Sequence, residues 1–426
     1  MNHKRNERIN QITEDTLVIG IDIAKKTHYA CPVDDRGREM RKKSVAFTQS
    51  REGFESFQRQ VEDWLKLYEK KRVLIGFEPT GHYWMNLAFF LLEVDLPFVQ
   101  VHPMHVKNTQ EFDDNLQTKN DSKDARLIAK LMVTGSFFYP RIPRGIQAEL
   151  RNGSAMRWRL KKDIARMKNQ MIQWLDQYFP EFKLVFKDFK QLACITLKYT
   201  PLPEDLLRHD VEELARMYRE QGGMCRVAKK TIREAQAVAG QSIGLTEGLE
   251  IARLEMQSLV SQFLLAEGQL EEVNQRMEEL AEQLEDFEYL VSIRGISEHT
   301  VMDLIAETGP LKQYKNPRQL IKLAGLTLRE QSSGQFKGQK IISKRGRKRL
   351  RSLLFKAILP LLRNNEAFHE LYQYYINRPV NPLKKKEAMV VLCGKLLKIF
   401  HGLSKHENYF DEERMKQDLH CLNQAA

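Results

Sequence analysis

Two apolar runs in this chain each stop at a carboxylate. Leu17-Val-Ile-Gly-Ile-Asp22 leads on to Ile-Ala24, and Val73-Leu-Ile-Gly-Phe-Glu78 gives way to Pro79-Thr-Gly-His82. Both read as strands, and an acid at the end of a buried strand needs a partner or a metal. Asp121 and Asp124 stand three apart in Lys119-Asn-Asp-Ser-Lys-Asp-Ala125, at the mouth of a helix. Taken singly, Asp121 reads as an N-cap and Asp124 as a first-turn acid favoured by the helix dipole. Asp22 and Glu78 carry no such reading, because they interrupt apolar strands. Four like charges converging on one site repel unless a divalent cation holds them. An oxygen-only set suits Mg²⁺, or Mn²⁺, and two such ions serve phosphodiester chemistry.

The order of elements places these acids. Strands are expected over 17–23, 27–33 and 44–48, then a helix carrying Phe54, Phe57, Val61, Trp64 and Leu65 at helical spacing. A strand (72–77), a helix (83–94), a strand (97–101) and a helix (124–134) follow. Three strands in hairpin order, then alternating helix and strand, is the order of an α/β ribonuclease-H-like sheet. In that sheet Asp22 and Glu78 fall side by side at one edge. Helical periodicity then dominates: Met156 to Tyr178 steps by three or four, and Leu249 to Phe287 keeps an a/d alternation for more than five heptads. The second stripe pairs either with the 156–178 helix or, slightly favoured, with another subunit as a shared coiled coil. Between them Asp210 and Glu213 read as a capping box. The expected division is 15–145, 146–287, 288–405 (all-α) and a loose tail over 406–426.

Charge narrows the partner. The 426 residues carry 68 Lys and Arg against 56 Asp and Glu, a formal net charge of +12, so a polyanion is the first candidate. The cations cluster. Lys337, Lys340, Lys344, Arg345, Arg347, Lys348, Arg349 and Arg351 fall in one run, 336–351, without an acid. Arg157 and Lys161 lie with other cations on the polar faces of the 156–178 helix. Such one-sign blocks beside glycines suit phosphates better than an ordinary solvated face does. Upstream, Val291-Ser-Ile-Arg-Gly-Ile-Ser-Glu-His-Thr300 resembles a helix-hairpin-helix turn, with Ser297 where a second glycine is expected. The five scattered cysteines argue against a disulfide framework and a zinc site. The amino-terminal residues hold no apolar core of a secretory signal. The most apolar window, 87–96, is broken by Glu93 and Asp95 and is too short for a bilayer. A cytoplasmic protein without a membrane segment is expected.

Gly20-Ile-Asp-Ile-Ala-Lys25, Glu78-Pro-Thr-Gly-His-Tyr83 and Lys119-Asn-Asp-Ser-Lys-Asp-Ala-Arg126 resemble the amino-terminal motifs of the insertion-sequence 110 family of transposases. Ala324-Gly-Leu-Thr, Ser333-Gly334 and Ile342-Ser-Lys-Arg-Gly346 are similar to its carboxy-terminal domain. Asn120 stands where Thr is frequent, and Leu328 where Pro is. The resemblance implies a RuvC-like domain whose Asp22, Glu78, Asp121 and Asp124 bind Mg²⁺, and a second domain whose Ser333 attacks DNA. It further implies a bacterial, nucleoid-associated recombinase guided by a structured RNA from the element's own non-coding end, and a homo-oligomer. A RuvC-type junction nuclease would use the same acids with water as nucleophile and would leave Ser333 idle. A sugar-kinase or actin-type ATPase would need glycine-rich phosphate loops that this chain lacks. A non-catalytic nucleic-acid-binding coiled coil would leave Asp22 and Glu78 without a role.

Overall fold

The computed structural model describes residues 2–113, 121–329, 332–333, 336–337 and 341–417. The chain divides into two compact units, Met1–Ile142 and Pro143–Ala426.

The first unit runs α1 (Asn2–Asn10), β1 (Thr16–Asp22), β2 (Thr27–Val33), β3 (Val45–Thr48), α2 (Arg51–Leu67), β4 (Arg72–Phe77) and α3 (Trp84–Glu93). It continues with β5 (Phe98–Val101), α4 (Pro103–Asp113), α5 (Asp121–Val133) and β6 (Phe137–Phe138). The strands form one mixed sheet in the order β3-β2-β1-β4-β5-β6. β1 pairs antiparallel with β2 and parallel with β4, so it is central. Alternate residues of each strand serve opposite faces. Leu17, Ile19, Ile21, Ile75 and Phe77 pack with Phe57, Trp64 and Leu91 of α2 and α3. Val18 and Leu74 pack instead with Ile128, Ala129 and Met132 of α5. Helices cover both faces, which is why β1 and β4 read as unbroken apolar runs. Each such large side chain contributes roughly 1.5–3 kcal/mol by leaving water. The expected sheet order is present; α4 and β6 go beyond it, and α5 starts at Asp121 rather than at 124.

The second unit is mostly helical. α6 (Ile146–Tyr178) and α12 (Leu249–Ala281) flank five shorter helices: α7 (Phe182–Val185), α8 (Gln191–Tyr199), α9 (Pro203–Leu207), α10 (Val211–Glu220) and α11 (Lys229–Ala239). The Asp210–Glu213 capping box opens α10, with bonds of 2.8 and 3.1 Å. α6 and α12 lie antiparallel: the Trp174 indole N–H donates to the Ala252 carbonyl at 3.0 Å, while Leu150 packs near Met277. The stripe Ala252, Met256, Leu259, Phe263 and Ala266 is buried against Ile164, Met167 and Met171 of the same chain. This is the within-chain pairing of the stripe. The helix also ends at Ala281, short of the 287 that the heptads suggest. Beyond it come α13 (Phe287–Val291), α14 (Glu298–Thr308), a 3₁₀ turn (Leu311–Gln313), α15 (Arg318–Leu323) and the two-residue strands β7 (Leu328–Arg329), β8 (Ser332–Ser333), β9 (Phe336–Lys337) and β10 (Ile341–Ile342). α16 (Lys348–Asn364), α17 (Glu366–Asn377) and α18 (Lys385–His406) complete the unit around a core that includes Leu304, Leu354, Phe368 and Phe400. Among the described residues no helix is long and apolar enough to cross a membrane.

Candidate active site

Asp22 is the last residue of β1, and Glu78 is the first beyond β4. The parallel register pairs Ile21 with Phe77, so the next residue on each strand is an acid, at neighbouring strands about 4.8 Å apart. Both are half-buried, where the chain leaves the cover of its two helical layers. The carboxyl ends of parallel strands are the usual ligand edge of such sheets.

Gly20 sets how closely the helix that bears the third acid packs on β1. A Cβ at Gly20 would lie 2.1 Å from the Ala125 carbonyl oxygen and 2.5 Å from the Ala129 nitrogen. Only glycine lets α5 lie against β1 this closely. Ala125 follows Asp124, a half-buried first-turn residue of α5, so Asp124 stands at the end of β1 that carries Asp22. Asp121 is the first residue of α5; its side chain lies outside the described residues. Among the described residues no group of three or more His, Cys, Asp or Glu is close enough to hold a metal. The acids singled out from the sequence offer only carboxylate oxygens, a donor chemistry that would suit a hard divalent cation such as Mg²⁺ better than zinc.

A polar relay, unforeseen from the sequence, joins the two acid-bearing turns. The Ala24 N–H donates to His28 Nδ1 at 3.3 Å, and His28 Nε2 bonds Gln49 Oε1. The Gln49 amide donates to the Tyr83 carbonyl at 2.9 Å. His28 is fully buried on β2, between the rings of Phe47 and Phe54. Burial pushes its pKa down, so the imidazole stays neutral with its proton on Nε2. The relay ties the turn after Asp22 to the turn after Glu78. Its only trace in the sequence is a histidine in the alternating pattern of β2.

Ser333 lies in the second unit. Its strand pairs antiparallel, Ser332 opposite Lys337 and Ser333 opposite Phe336, and β7 and β10 form a separate antiparallel pair. The side chains of Ser333, Lys337 and Lys340 lie outside the described residues. The base of this arm is a clasp. A Cβ on Gly346 would come within 2.4 Å of the Gly325 nitrogen, and Gly325 has φ +70°. The Lys344 N–H donates to the Gly325 carbonyl at 3.0 Å and Ser343 N–H to that of Thr327 at 2.7 Å. Ser343 Oγ is 3.2 Å from Thr327 Oγ1. The two glycine motifs at 324–327 and 342–346 therefore meet backbone to backbone, at the two ends of the segment that bears the serine.

The basic residues divide into anchors and exposed charges. Arg351 donates to the Ala324 carbonyl at 2.9 Å. Arg349 donates to Ser154 and lies 3.4 Å from Glu307, which also draws Arg347 at 3.8 Å. Lys344, Arg345 and Lys348 are exposed. Arg157, expected on a basic outer face, is only 4% exposed and pairs with Asp303 at 2.6 Å. Position 157 falls three before Leu160 and seven before Ile164, so it shares their inward stripe; Lys161 remains exposed. The expected glycine turn at 291–300 has Gly295 at φ +97°, with Ser297 capping α14.

Two family descriptions match this chain. One, a transposase model of the DEDD type of IS110, spans residues 19–180; the other, "Transposase IS116/IS110/IS902 family", spans residues 287–373. The first covers the acid-bearing sheet and the second the clasp and its arm. The chain is also 22% identical over 398 residues to the transposase for insertion sequence element IS1111A of Coxiella burnetii, covering 93% of this chain and 92% of that protein. Two matches in the family's own order, together longer than half the chain and falling on the two constellations that the geometry singles out, make this chain a member of the IS110 family of transposases.

Proposed function

We propose that the protein cuts and exchanges DNA strands through a phosphoserine intermediate, with Asp22, Glu78, Asp121 and Asp124 holding Mg²⁺ and Ser333 as nucleophile. The observation that carries this reading is the placement of Asp22 and Glu78 side by side at the carboxyl edge of the central parallel pair, with Asp124 on the helix packed at Gly20. Bound there, Mg²⁺ would supply charge neutralisation at the scissile phosphate. The Ser333 hydroxyl oxygen attacks phosphorus and loses its proton, as the bond to a deoxyribose oxygen breaks and that oxygen gains a proton. The ester conserves the energy of the broken bond, so religation needs no nucleotide triphosphate. Exposed Lys344, Arg345 and Lys348 beside the arm hold the backbone by charge. On the resemblance alone, a structured RNA from the element guides target choice. The functional unit is a homo-oligomer, for which the exposed α12 side chains Ile251, Leu254 and Leu265 offer a face.

Trapping tests the chemistry. Denaturing the protein with labelled element-end DNA in Mg²⁺ should leave a covalent adduct that maps to Ser333. Ser333→Ala should abolish the adduct and leave duplex binding within about twofold, since one neutral hydroxyl contributes little to a phosphate-dominated interface. Strand cleavage without any adduct would instead favour a water-using RuvC-type nuclease. Mapping to Ser343 would move the nucleophile into the clasp.

A further inference from the structure

A cavity of about 330 Å³ lies between α6, α14 and α16 of the second unit. Its wall carries four cations, Arg157, Lys161, Arg349 and Lys356, and two acids, Asp303 and Glu307. Both acids face arginines: Asp303 lies 2.6 Å from Arg157, and Glu307 lies 3.4 Å from Arg349 and 3.8 Å from Arg347. Among the described residues, Lys161 and Lys356 have no ion-pair partner, which leaves two unmatched positive charges at one opening. Lys161 is held below the ordinary lysine range by partial desolvation and by the charges of Arg157 and Lys356. These cations therefore act on one another across a shared space.

A second observation concerns the cavity wall. Arg157 is 4% exposed, and its Nε finds no hydrogen-bond partner. A buried guanidinium N–H without an acceptor costs free energy, and Asp303 Oδ1 on the same wall is likewise unpaired, so this polar wall is incompletely satisfied. The same wall presents the amino end of α14, with the Ser297 and Thr300 hydroxyls 3.0 Å apart. Ammonium, guanidinium, hydroxyl and helix amides together are donors for a tetrahedral oxyanion.

We infer that this cavity binds a phosphate group of the nucleic-acid backbone. The inference rests on the reading of the protein as DNA-binding. It assigns Arg157 a place at the floor of the pocket, and Lys161 and Lys356 places at its mouth.

The test uses the full chain in metal-free buffer, where no cleavage intervenes. Affinity for a labelled duplex is measured against salt for the wild type, for Lys161→Gln/Lys356→Gln and for a charge-matched control, Lys230→Gln/Lys398→Gln. The pocket variant should flatten the log–log salt slope by about 1, for the one phosphate charge no longer neutralised, and the control should not. Its melting temperature without DNA should equal or exceed that of the wild type, because mutual repulsion has been removed. Inorganic phosphate should change the emission of Trp158, at the rim, in the wild type and not in the pocket variant or Trp158→Phe. An unchanged salt slope in the pocket variant overturns the inference. A response to phosphate without a change in slope would assign the cavity to a free phosphate instead. Melting well below the wild type would show that both lysines already have partners, and would also overturn it. If the wild type failed to bind duplex at all, the DNA reading would fall; if adduct formation survived an unchanged slope, only the pocket would.

Discussion

Asp22→Asn and Glu78→Gln change charge with little change of shape at the ends of β1 and β4. Both variants should fold, with melting temperatures within a few degrees of the wild type. Mg²⁺-dependent strand cleavage should fall by more than about a hundredfold, the upper range for losing even an outer-sphere partner of a metal. Cleavage retained by either variant would remove that acid from the mechanism. His28 should act through the backbone. In His28→Asn the amide can still accept from Ala24, whereas His28→Gln reaches toward Gln49; each loses one buried bond, a cost of roughly 1–3 kcal/mol. The sign with pH follows from burial. The folded protein lowers the imidazole pKa, so the unfolded chain binds the proton more tightly. The His28 contribution is complete above the ordinary imidazole range and is lost as pH falls through it. Thermal melts across that range should show this acid-side decline for the wild type and a flatter one for His28→Gln. Equal declines would place the titrating group elsewhere.

At the scale of elements, two strands, one helix and a hairpin arm carry the proposed chemistry, and glycines set how closely the backbone packs within each unit. Gly20→Ala puts a methyl group 2.1 Å from the Ala125 carbonyl oxygen. Neither backbone can give way cheaply, so overpacking should cost roughly 1–3 kcal/mol. The larger effect should fall on activity, because α5 carries both Asp121 and Asp124. Cleavage should drop at least as far as stability alone predicts, measured at a temperature where the variant is folded; undiminished cleavage would show that α5 need not touch β1. The clasp of 324–327 against 342–346 has the same logic on the other unit. Its glycines and Arg351 hold the base of the arm, which explains why arginines in a basic run are partly structural.

At the scale of the whole molecule, the two proposed roles fall in separate compact units, and α6 and α12 bury most of their apolar stripe against each other. An oligomer must then use another face, such as Leu254 and Leu265 at 60% and 64% exposure. Leu254→Glu with Leu265→Glu should lower the mass seen by light scattering while leaving the α6–α12 core intact. A mixing experiment tests whether subunits share the chemistry. Asp22→Asn chains mixed with size-tagged Ser333→Ala chains should regain adduct, and only on the Asp22→Asn chain, which keeps its serine. A mixed oligomer that forms no adduct would confine both roles to one chain.

The sequence by itself determined the sheet order and the placement of Asp22 and Glu78 at the ends of neighbouring strands, because strand runs, their lengths and the acids that end them are local and periodic. The Asp210–Glu213 cap was legible for the same reason. Tertiary structure decided what depends on partners distant in the chain. The heptads of α12 could not say which helix would bury them, and Trp174 against Ala252 answers within the chain. Arg157 reads as one cation among many until Asp303, 146 residues away, draws it inward. His28 and Gln49 form no motif, since their partners at Ala24 and Tyr83 meet only once β1, β2 and β4 lie in one sheet. Periodicity fixes which face a residue takes; only packing fixes what that face meets.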